Sequence, residues 1–193
     1  MTNKKEKTNL FHSIRQSNEY TFFFDEELGP PDEYRDLSMV LMQANEDDEI
    51  NLMINGPGGY VDTAAQLSNL IANCRGTVIG HLVGPSASAY CTIFLSCHGW
   101  VVHPHATLMA HQFSGGFCEK GAEIKKAYES YATFVENMML DIYYPFFSIE
   151  EIEEILHENK NIYLDSKEIH KRIEVLAKYR SEQCNKAQLS QSE

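Results

Sequence analysis

Apolar segments alternate with segments of mixed polarity along the first half of the chain. The runs at residues 20–24, 49–54 and 77–83 consist mostly of aromatic and aliphatic side chains, which is typical of strands, and the run at 77–83 predicts a buried one. Residues 33–44 and 61–73 carry apolar side chains every three or four positions, which predicts helices that bury one face. Strands alternating with helices predict an α/β fold in which crossover connections build a parallel sheet.

The second half contains one long helical pattern at residues 121–144, ended by Pro145. Its apolar face is broader than one small domain can bury, so we expect part of it to contact another subunit. Shorter patterns predict a helix at 91–97 and strands at 100–102 and 106–110. The apolar positions of the long helix are Ile124, Ala127, Tyr128, Tyr131, Phe134, Val135, Met138 and Ile142.

Length and composition indicate one globular domain. A chain of 193 residues with 43% hydrophobic residues is long enough for a single sizeable core. Residues 1–18 are polar and predict a flexible segment, residues 19–180 predict the folded domain, and the Gln- and Ser-rich residues 181–193 predict a disordered tail. Within the domain, no internal repeat or boundary divides the pattern.

The net charge of the chain limits the kinds of binding partner that we expect. The net charge of −12 argues against nucleic acid and against an anionic membrane surface. No apolar run reaches the roughly 20 residues that a membrane span needs. The basic start of the chain is not followed by the apolar core of a signal peptide, which predicts a cytoplasmic protein.

The cysteines and histidines do not form a recognisable metal motif. The five cysteines include no C-x-x-C pair, so we expect reduced thiols rather than disulfides. His98, His103 and His105 lie close in sequence but have no H-E-x-x-H pattern and no further ligand at a suitable spacing. The sequence therefore predicts no metal and no cofactor.

A cluster of small residues at 84–90 follows the predicted strand at 77–83 and precedes the predicted helix at 91–97. Small residues allow a sharp strand-to-helix turn that exposes a side chain, and the free N–H groups at a helix start can hold an oxyanion. Ser86 and Ser88 are both candidate nucleophiles, although serine at such a turn commonly only caps a helix. His111, at the end of another apolar run, is the candidate base.

Three ordered blocks resemble the caseinolytic Clp protease proteolytic subunit family. Residues 54–59 (INGPGG), 84–91 (GPSASAYC) and 109–113 (MAHQF) are similar to its I-N-S-P-G-G, G-x-A-A-S-M-G-A and M-I-H-Q-P blocks. The resemblance covers about residues 20–175 and implies a serine peptidase with the Clp protease and crotonase-like crossover fold. It implies Ser88 as nucleophile, His111 as base, Gly59 and Ala89 as oxyanion donors, and substrate contacts at Gln112, Phe113, Gly115 and Gly116.

The third catalytic residue departs from the family pattern. The family places an aspartate shortly before an aromatic residue, and the matching block here is residues 160–169 (KNIYLDSKEI). Aligning Tyr163 with the aromatic residue leaves Asn161 at the aspartate position and makes Asp165 a helix cap. An asparagine can still orient an imidazole, but it adds no full charge. Whether Asn161 or Asp165 is the third residue stays open at this point.

The resemblance also implies partners. It predicts heptameric rings that stack as a tetradecamer through the long helix, called the handle, with the active sites inside a chamber. It further implies an AAA+ unfoldase that feeds polypeptide substrates, since this chain has no nucleotide-binding motif of its own. Two alternatives remain: a ring subunit with weak or no turnover, and an acyl-CoA enzyme of the crotonase class, which uses carboxylates and oxyanion donors instead of a serine and a histidine.

Overall fold

The computed structural model describes residues 17–190, with side chains described as far as residue 186. It confirms the predicted α/β fold. Six of the seven strands that it describes coincide with apolar runs of the sequence, and the exception is the strand at residues 85–87. The strands are β1 (Glu19–Phe24), β2 (Glu49–Ile54), β3 (Thr77–Leu82), β4 (Pro85–Ala87), β5 (Gly99–Val102), β6 (Thr107–Ala110) and β7 (Ile162–Asp165).

The helices follow the predicted pattern at most positions. A short 3₁₀ helix at Pro31–Tyr34 leads directly into the first α-helix, where the sequence predicted one continuous helix. The helix predicted to begin at residue 91 already begins at Ala89, because the small residues of the serine turn join its first turn. The helices are α1 (Arg35–Gln43), α2 (Val61–Ala72), α3 (Ala89–Ser96), α4 (Gly121–Tyr143), α5 (Ile149–Glu158) and α6 (Ser166–Ser190).

A parallel four-stranded sheet in the order β1-β2-β3-β5 forms one layer of the domain. Phe24, Ile54 and Leu82 lie side by side at its carboxyl edge, where all three are buried. Because parallel strands end at the same edge, the loops that follow β1, β2 and β3 meet there. Those loops contain the glycine block and the serine block.

A second, three-stranded sheet joins the serine block to the histidine block. Strand β4 pairs in parallel with β6, and β7 pairs antiparallel with β6. The register aligns Ala87 with Met109, so the residues that follow these two strands lie close together. The backbone N–H of Ser88 donates to the carbonyl of Met109 at 2.8 Å, which fixes this arrangement.

Helices α3 and α4 differ in burial. Helix α3 is covered on nearly all sides, with Tyr90, Ile93 and Phe94 at most 1% exposed. Helix α4 buries Val135, Met139 and Tyr143 near its end. Its other apolar side chains are more open, and Ile124, Tyr128 and Phe134 are 42%, 47% and 40% exposed.

The carboxyl-terminal end of the chain differs from the prediction. The polar composition from Ser181 onward predicted a disordered tail, but α6 continues through that point to Ser190. Arg180 anchors the helix there, since its guanidinium donates to the carbonyls of Cys97 and Leu95 and lies over the Trp100 ring. Residues 1–16 of the predicted flexible segment, and residues 191–193 of the tail, lie outside the described residues.

Candidate active site

Ser88 occupies a strained turn between β4 and α3. Its backbone has φ 57° and ψ −123°, a conformation that L-residues other than glycine rarely adopt. Strain of this kind persists only where surrounding contacts impose it. Here the pairing of β4 with β6 fixes the residues before Ser88, while the carbonyl of Ser88 accepts from the N–H of Cys91 as α3 begins. The turn therefore leaves the Ser88 side chain at the start of α3.

The two candidate serines are in different environments. Ser86 is 3% exposed, and its hydroxyl donates to backbone carbonyls, to that of Ile54 at 3.2 Å and to that of Gly84 at 3.3 Å. Ser88 is half-buried and makes no side-chain capping bond to α3. Within residues 17–186, its hydroxyl has no hydrogen-bond partner. Of the two serines, only Ser88 has a hydroxyl that is free to react.

His111 directly follows β6 and lines the same cavity as Ser88. This cavity is narrow, with a volume of about 20 Å³. In the part of the chain with described side chains, no hydrogen bond joins Ser88 to His111, so the serine–base contact is not formed in this state. Catalytic hydrogen bonds commonly tighten only when substrate is bound. The other lining residues are Val61, Ala64, Ala89, Thr92, Phe113, Val135, Met138, Met139 and Tyr143.

The glycine turn packs against the start of α3. Gly58 has φ +90°, and a Cβ atom added to it would lie 2.6 Å from the carbonyl oxygen of Ala87 and 2.8 Å from the backbone nitrogen of Ala89. No side chain fits in that space. The family resemblance implied a role for Gly59 and none for Gly58, although two adjacent glycines indicate that the backbone approaches another segment closely.

The backbone of Gly59 is held in place by Leu28. The N–H of Leu28 donates to the carbonyl of Gly58 at 2.7 Å, and the N–H of Tyr60 donates to the carbonyl of Leu28 at 2.9 Å. Neither bond uses the N–H of Gly59, which has no protein acceptor in the described structure. The Ala89 N–H, in the first turn of α3, likewise has none. Backbone N–H groups without a protein acceptor are the kind of donor that an oxyanion can use.

The pairing of β6 with β7 puts Asn161 at the end of β6 that leads to His111 and Asp165 at the opposite end. Ala110 pairs with Ile162, so continuing the register by one residue brings Asn161 opposite His111. Asp165 pairs with Thr107 at the other end of β6, roughly 13 Å along the strand from His111 at about 3.3 Å per residue. The Asp165 carboxylate also accepts from the N–H of Glu168 at 2.8 Å, as a helix cap does.

The predicted substrate segment has no strand structure here. Residues 111–120 form an irregular loop. The Gln112 side chain donates to the carbonyl of Leu156 at 2.6 Å, so it braces α5 instead of pointing to a free edge. Phe113 packs against Tyr131 with 5.2 Å between ring centroids. Gly115 and Gly116 are exposed, with open space where a side chain would be.

The three neighbouring histidines do not converge. His98 accepts from the N–H of Val78 and bonds through its other nitrogen to the carbonyl of Ile71, so it has a structural role. No group of three or more metal-ligating side chains comes together in the described residues. Burial raises the pKa of the Cys91 and Cys97 thiols to about 12, which keeps both protonated.

Among the helices of residues 17–190, none is long and apolar enough to cross a membrane.

Comparison with known proteins supports the fold and the family resemblance. A family model described as Clp protease matches residues 34–172. Among solved structures, the chain is similar to ClpP1 from Listeria monocytogenes, in a form with an asparagine-to-aspartate substitution. The TM-score is 0.63 at 22% identity, and the match covers 79% of this chain and 86% of that one. Since the family model spans well over half of its residues, the chain belongs to the Clp protease family.

Proposed function

We propose that this chain is a serine endopeptidase that hydrolyses unfolded polypeptides with Ser88 as its nucleophile. One observation carries the proposal. Ser88 lies in a strained turn with a free hydroxyl, and it lines the same cavity as His111. Membership of the Clp protease family supports the peptidase class over the acyl-CoA enzyme of the crotonase class.

In the proposed reaction, the Ser88 hydroxyl attacks the carbonyl carbon of the scissile peptide bond while His111 accepts its proton. The oxyanion that forms accepts hydrogen bonds from the N–H groups of Gly59 and Ala89. The C–N bond then breaks, and His111 returns the proton to the leaving amine. Water, deprotonated by His111, hydrolyses the acyl-enzyme and restores Ser88.

Asn161 is the proposed partner of His111. Its side-chain oxygen can accept from the imidazole N–H and so select the tautomer that takes the Ser88 proton. A neutral amide stabilises the imidazolium less than a carboxylate does. No hydrogen bond between these two side chains is present in the described part of the chain. We therefore infer that substrate binding or subunit assembly closes both the contact of Asn161 with His111 and the contact of His111 with Ser88.

The proposed assembly is a pair of stacked heptameric rings that enclose the active sites. The exposed apolar side chains of α4 support this, because Ile124, Tyr128 and Phe134 lie on a helix that one subunit covers only near its end. The proposed source of substrate is an ATP-dependent AAA+ unfoldase. The sequence contains no nucleotide-binding motif, so ATP hydrolysis would belong to that partner.

A second function has specific support: a structural ring subunit with little turnover. The neutral Asn161 and the missing contacts among the side chains of Ser88, His111 and Asn161 favour it. The two functions differ in one measurable property, since only the peptidase forms an acyl-enzyme at Ser88.

The test is hydrolysis of a fluorogenic peptide by the purified assembly. Ser88→Ala should lower kcat by about 10³-fold or more, because the nucleophile is lost while the assembly stays intact. Ser86→Ala is the matched control and should retain most of the rate, since that hydroxyl is bonded to backbone carbonyls. Undiminished turnover by Ser88→Ala would refute the proposal, and a wild type that cleaves nothing would favour the structural subunit.

A further inference from the structure

The cavity beside Ser88 lies between two helices. Val61 and Ala64 of α2 form one wall, and Val135, Met138 and Met139 of α4 form the other. Its volume of about 20 Å³ is close to the minimum of about 10–15 Å³ that one water molecule needs. A branched or aromatic side chain of a substrate therefore does not fit unless α4 moves away from α2.

A single side-chain hydrogen bond connects these two walls. The hydroxyl of Tyr131 on α4 donates to the carboxylate of Asp62 on α2 at 3.1 Å. Among the described side chains, no other hydrogen bond or ion pair joins α2 to α4. Asp62 directly follows the cavity residue Val61, and Tyr131 lies one helical turn before Val135. The bond is therefore placed at the margin of the cavity.

The Tyr131 ring lies in a cluster of aromatic side chains, while its hydrogen bond to Asp62 is exposed to solvent. It packs against Phe113 at 5.2 Å, Phe117 at 5.7 Å and Phe134 at 5.6 Å between ring centroids. Burial, with a contribution from the hydrogen bond to Asp62, raises the pKa of Tyr131 to about 12. The hydroxyl thus remains a donor throughout the neutral pH range.

We propose that the Asp62–Tyr131 hydrogen bond holds α4 against α2 and so limits the residue before the scissile bond to small side chains. The proposal rests on the proposed peptidase function. Tyr131 does not touch the reacting atoms; it positions the wall formed by Val135, Met138 and Met139. Methionine side chains repack easily. Once the bond is lost, a small displacement of α4 therefore suffices to admit a larger side chain.

The test compares peptides that differ only in the residue before the reporter group, which is alanine, leucine or phenylalanine. Full-length wild type should turn over the alanine peptide best. Tyr131→Phe keeps the ring but loses the bond. It should raise kcat/KM for the leucine and phenylalanine peptides about fivefold relative to alanine, mainly through KM, since a typical hydrogen bond contributes about 1 kcal/mol.

Two further variants make the comparison specific. Asp62→Asn keeps an oxygen that can accept from Tyr131 and should retain the wild-type ranking of peptides. Tyr128→Phe is the matched control, because its ring also packs against Phe113 and Phe117 while its hydroxyl has no partner in the described structure. The proposal is overturned if wild type prefers the phenylalanine peptide, or if Tyr131→Phe and Tyr128→Phe rank the peptides alike.

Hydrogen–deuterium exchange provides a readout that needs no turnover. Backbone amides around Tyr131 in α4 should exchange about fivefold faster in Tyr131→Phe than in Tyr128→Phe, if the bond holds the helix against α2. Equal exchange in the two variants would contradict the proposal. If wild type cleaves no peptide, the peptidase function fails, and the exchange rates alone decide whether the bond restrains α4.

Discussion

Substitutions of Asn161 test whether this single side chain orients His111. If Asn161 orients His111, Asn161→Ala should lower kcat by about 10²–10⁴-fold, because the unproductive tautomer becomes populated. Asn161→Asp should keep or raise kcat, since a carboxylate both accepts the imidazole N–H and stabilises the imidazolium. Steady-state hydrolysis of a fluorogenic peptide measures both variants.

Asp165→Asn is the control for that pair. It should leave kcat almost unchanged and preserve the cap of α6, because asparagine and aspartate are similarly good N-cap residues. If Asp165→Asn abolished turnover while Asn161→Ala had no effect, the third catalytic residue would be Asp165, and the β6–β7 pairing described here would not be that of the active form.

Gly58 should tolerate no side chain. In Gly58→Ala the new Cβ would meet the Ala87 carbonyl in a left-handed backbone conformation, so we expect a loss of about 1–3 kcal/mol in the free energy of unfolding. Chemical denaturation measures it. Gly121→Ala, where an added Cβ meets nothing within 4 Å, is the control and should change the free energy by no more than about 0.5 kcal/mol. Equal losses would show that Gly58 is not confined by the serine turn.

Sequence reasoning found part of this local chemistry. The small residues at 84–90 predicted the turn, and the family blocks selected Ser88 and His111. The environments that separate Ser88 from Ser86 depend on Ile54, which lies 32 residues away from Ser86 in sequence. The contact of Gly58 with Ala87 and Ala89 depends on how β2 and β4 end in space. Such contacts between distant segments leave no periodic pattern in the sequence.

Among the secondary-structure elements, those that carry a continuous or periodic set of apolar side chains were predicted. Strand β2 has the predicted bounds because its apolar run is buried between turns of polar residues. Strand β4 was not predicted, since its three residues form a strand only by pairing with β6. Helix α6 extends beyond residue 180, where a disordered tail was predicted, because Arg180 donates hydrogen bonds to carbonyls at the end of α3. The composition of the sequence does not reveal this contact.

The junction of α5 with α6 depends on one ion pair. Arg172 makes two hydrogen bonds to the Glu151 carboxylate, at 2.7 and 2.8 Å, and both side chains are partly buried. Glu151 also completes a capping box with Ser148 at the start of α5. Glu151→Gln should therefore lower the free energy of unfolding by about 1–3 kcal/mol at pH 7, as measured by chemical denaturation. Glu153→Gln, on the exposed face of α5, should have almost no effect.

The same pair predicts a pH dependence. The hydrogen bonds from Arg172 hold the pKa of Glu151 below its ordinary value of 4.5. A carboxyl group with a lowered folded-state pKa adds stability above its unfolded pKa and loses that contribution as the pH falls through the folded value. The stability difference between wild type and Glu151→Gln should thus be full at pH 7 and shrink below pH 4.5. A difference that grew on acidification would contradict this assignment.

At the scale of the whole molecule, the exposed face of α4 predicts assembly. The protein should sediment as a ring complex and not as a 22.0 kDa monomer. Phe134→Lys should shift the distribution towards smaller species, because a charge replaces an apolar side chain that is 40% exposed. Glu129→Lys, on the charged face of the same helix, is the control and should sediment like wild type. A stable and active monomeric wild type would refute the assembly.

Ser88, activated by His111, is the proposed nucleophile of the peptidase. Its most direct test is a serine-reactive phosphonate probe, with the labelled peptide identified by mass spectrometry in the assembled wild-type protein. We expect a covalent adduct on Ser88, none on Ser86, and little or no labelling in His111→Ala. Absence of an adduct in an intact assembly, or an adduct on another residue, would contradict it.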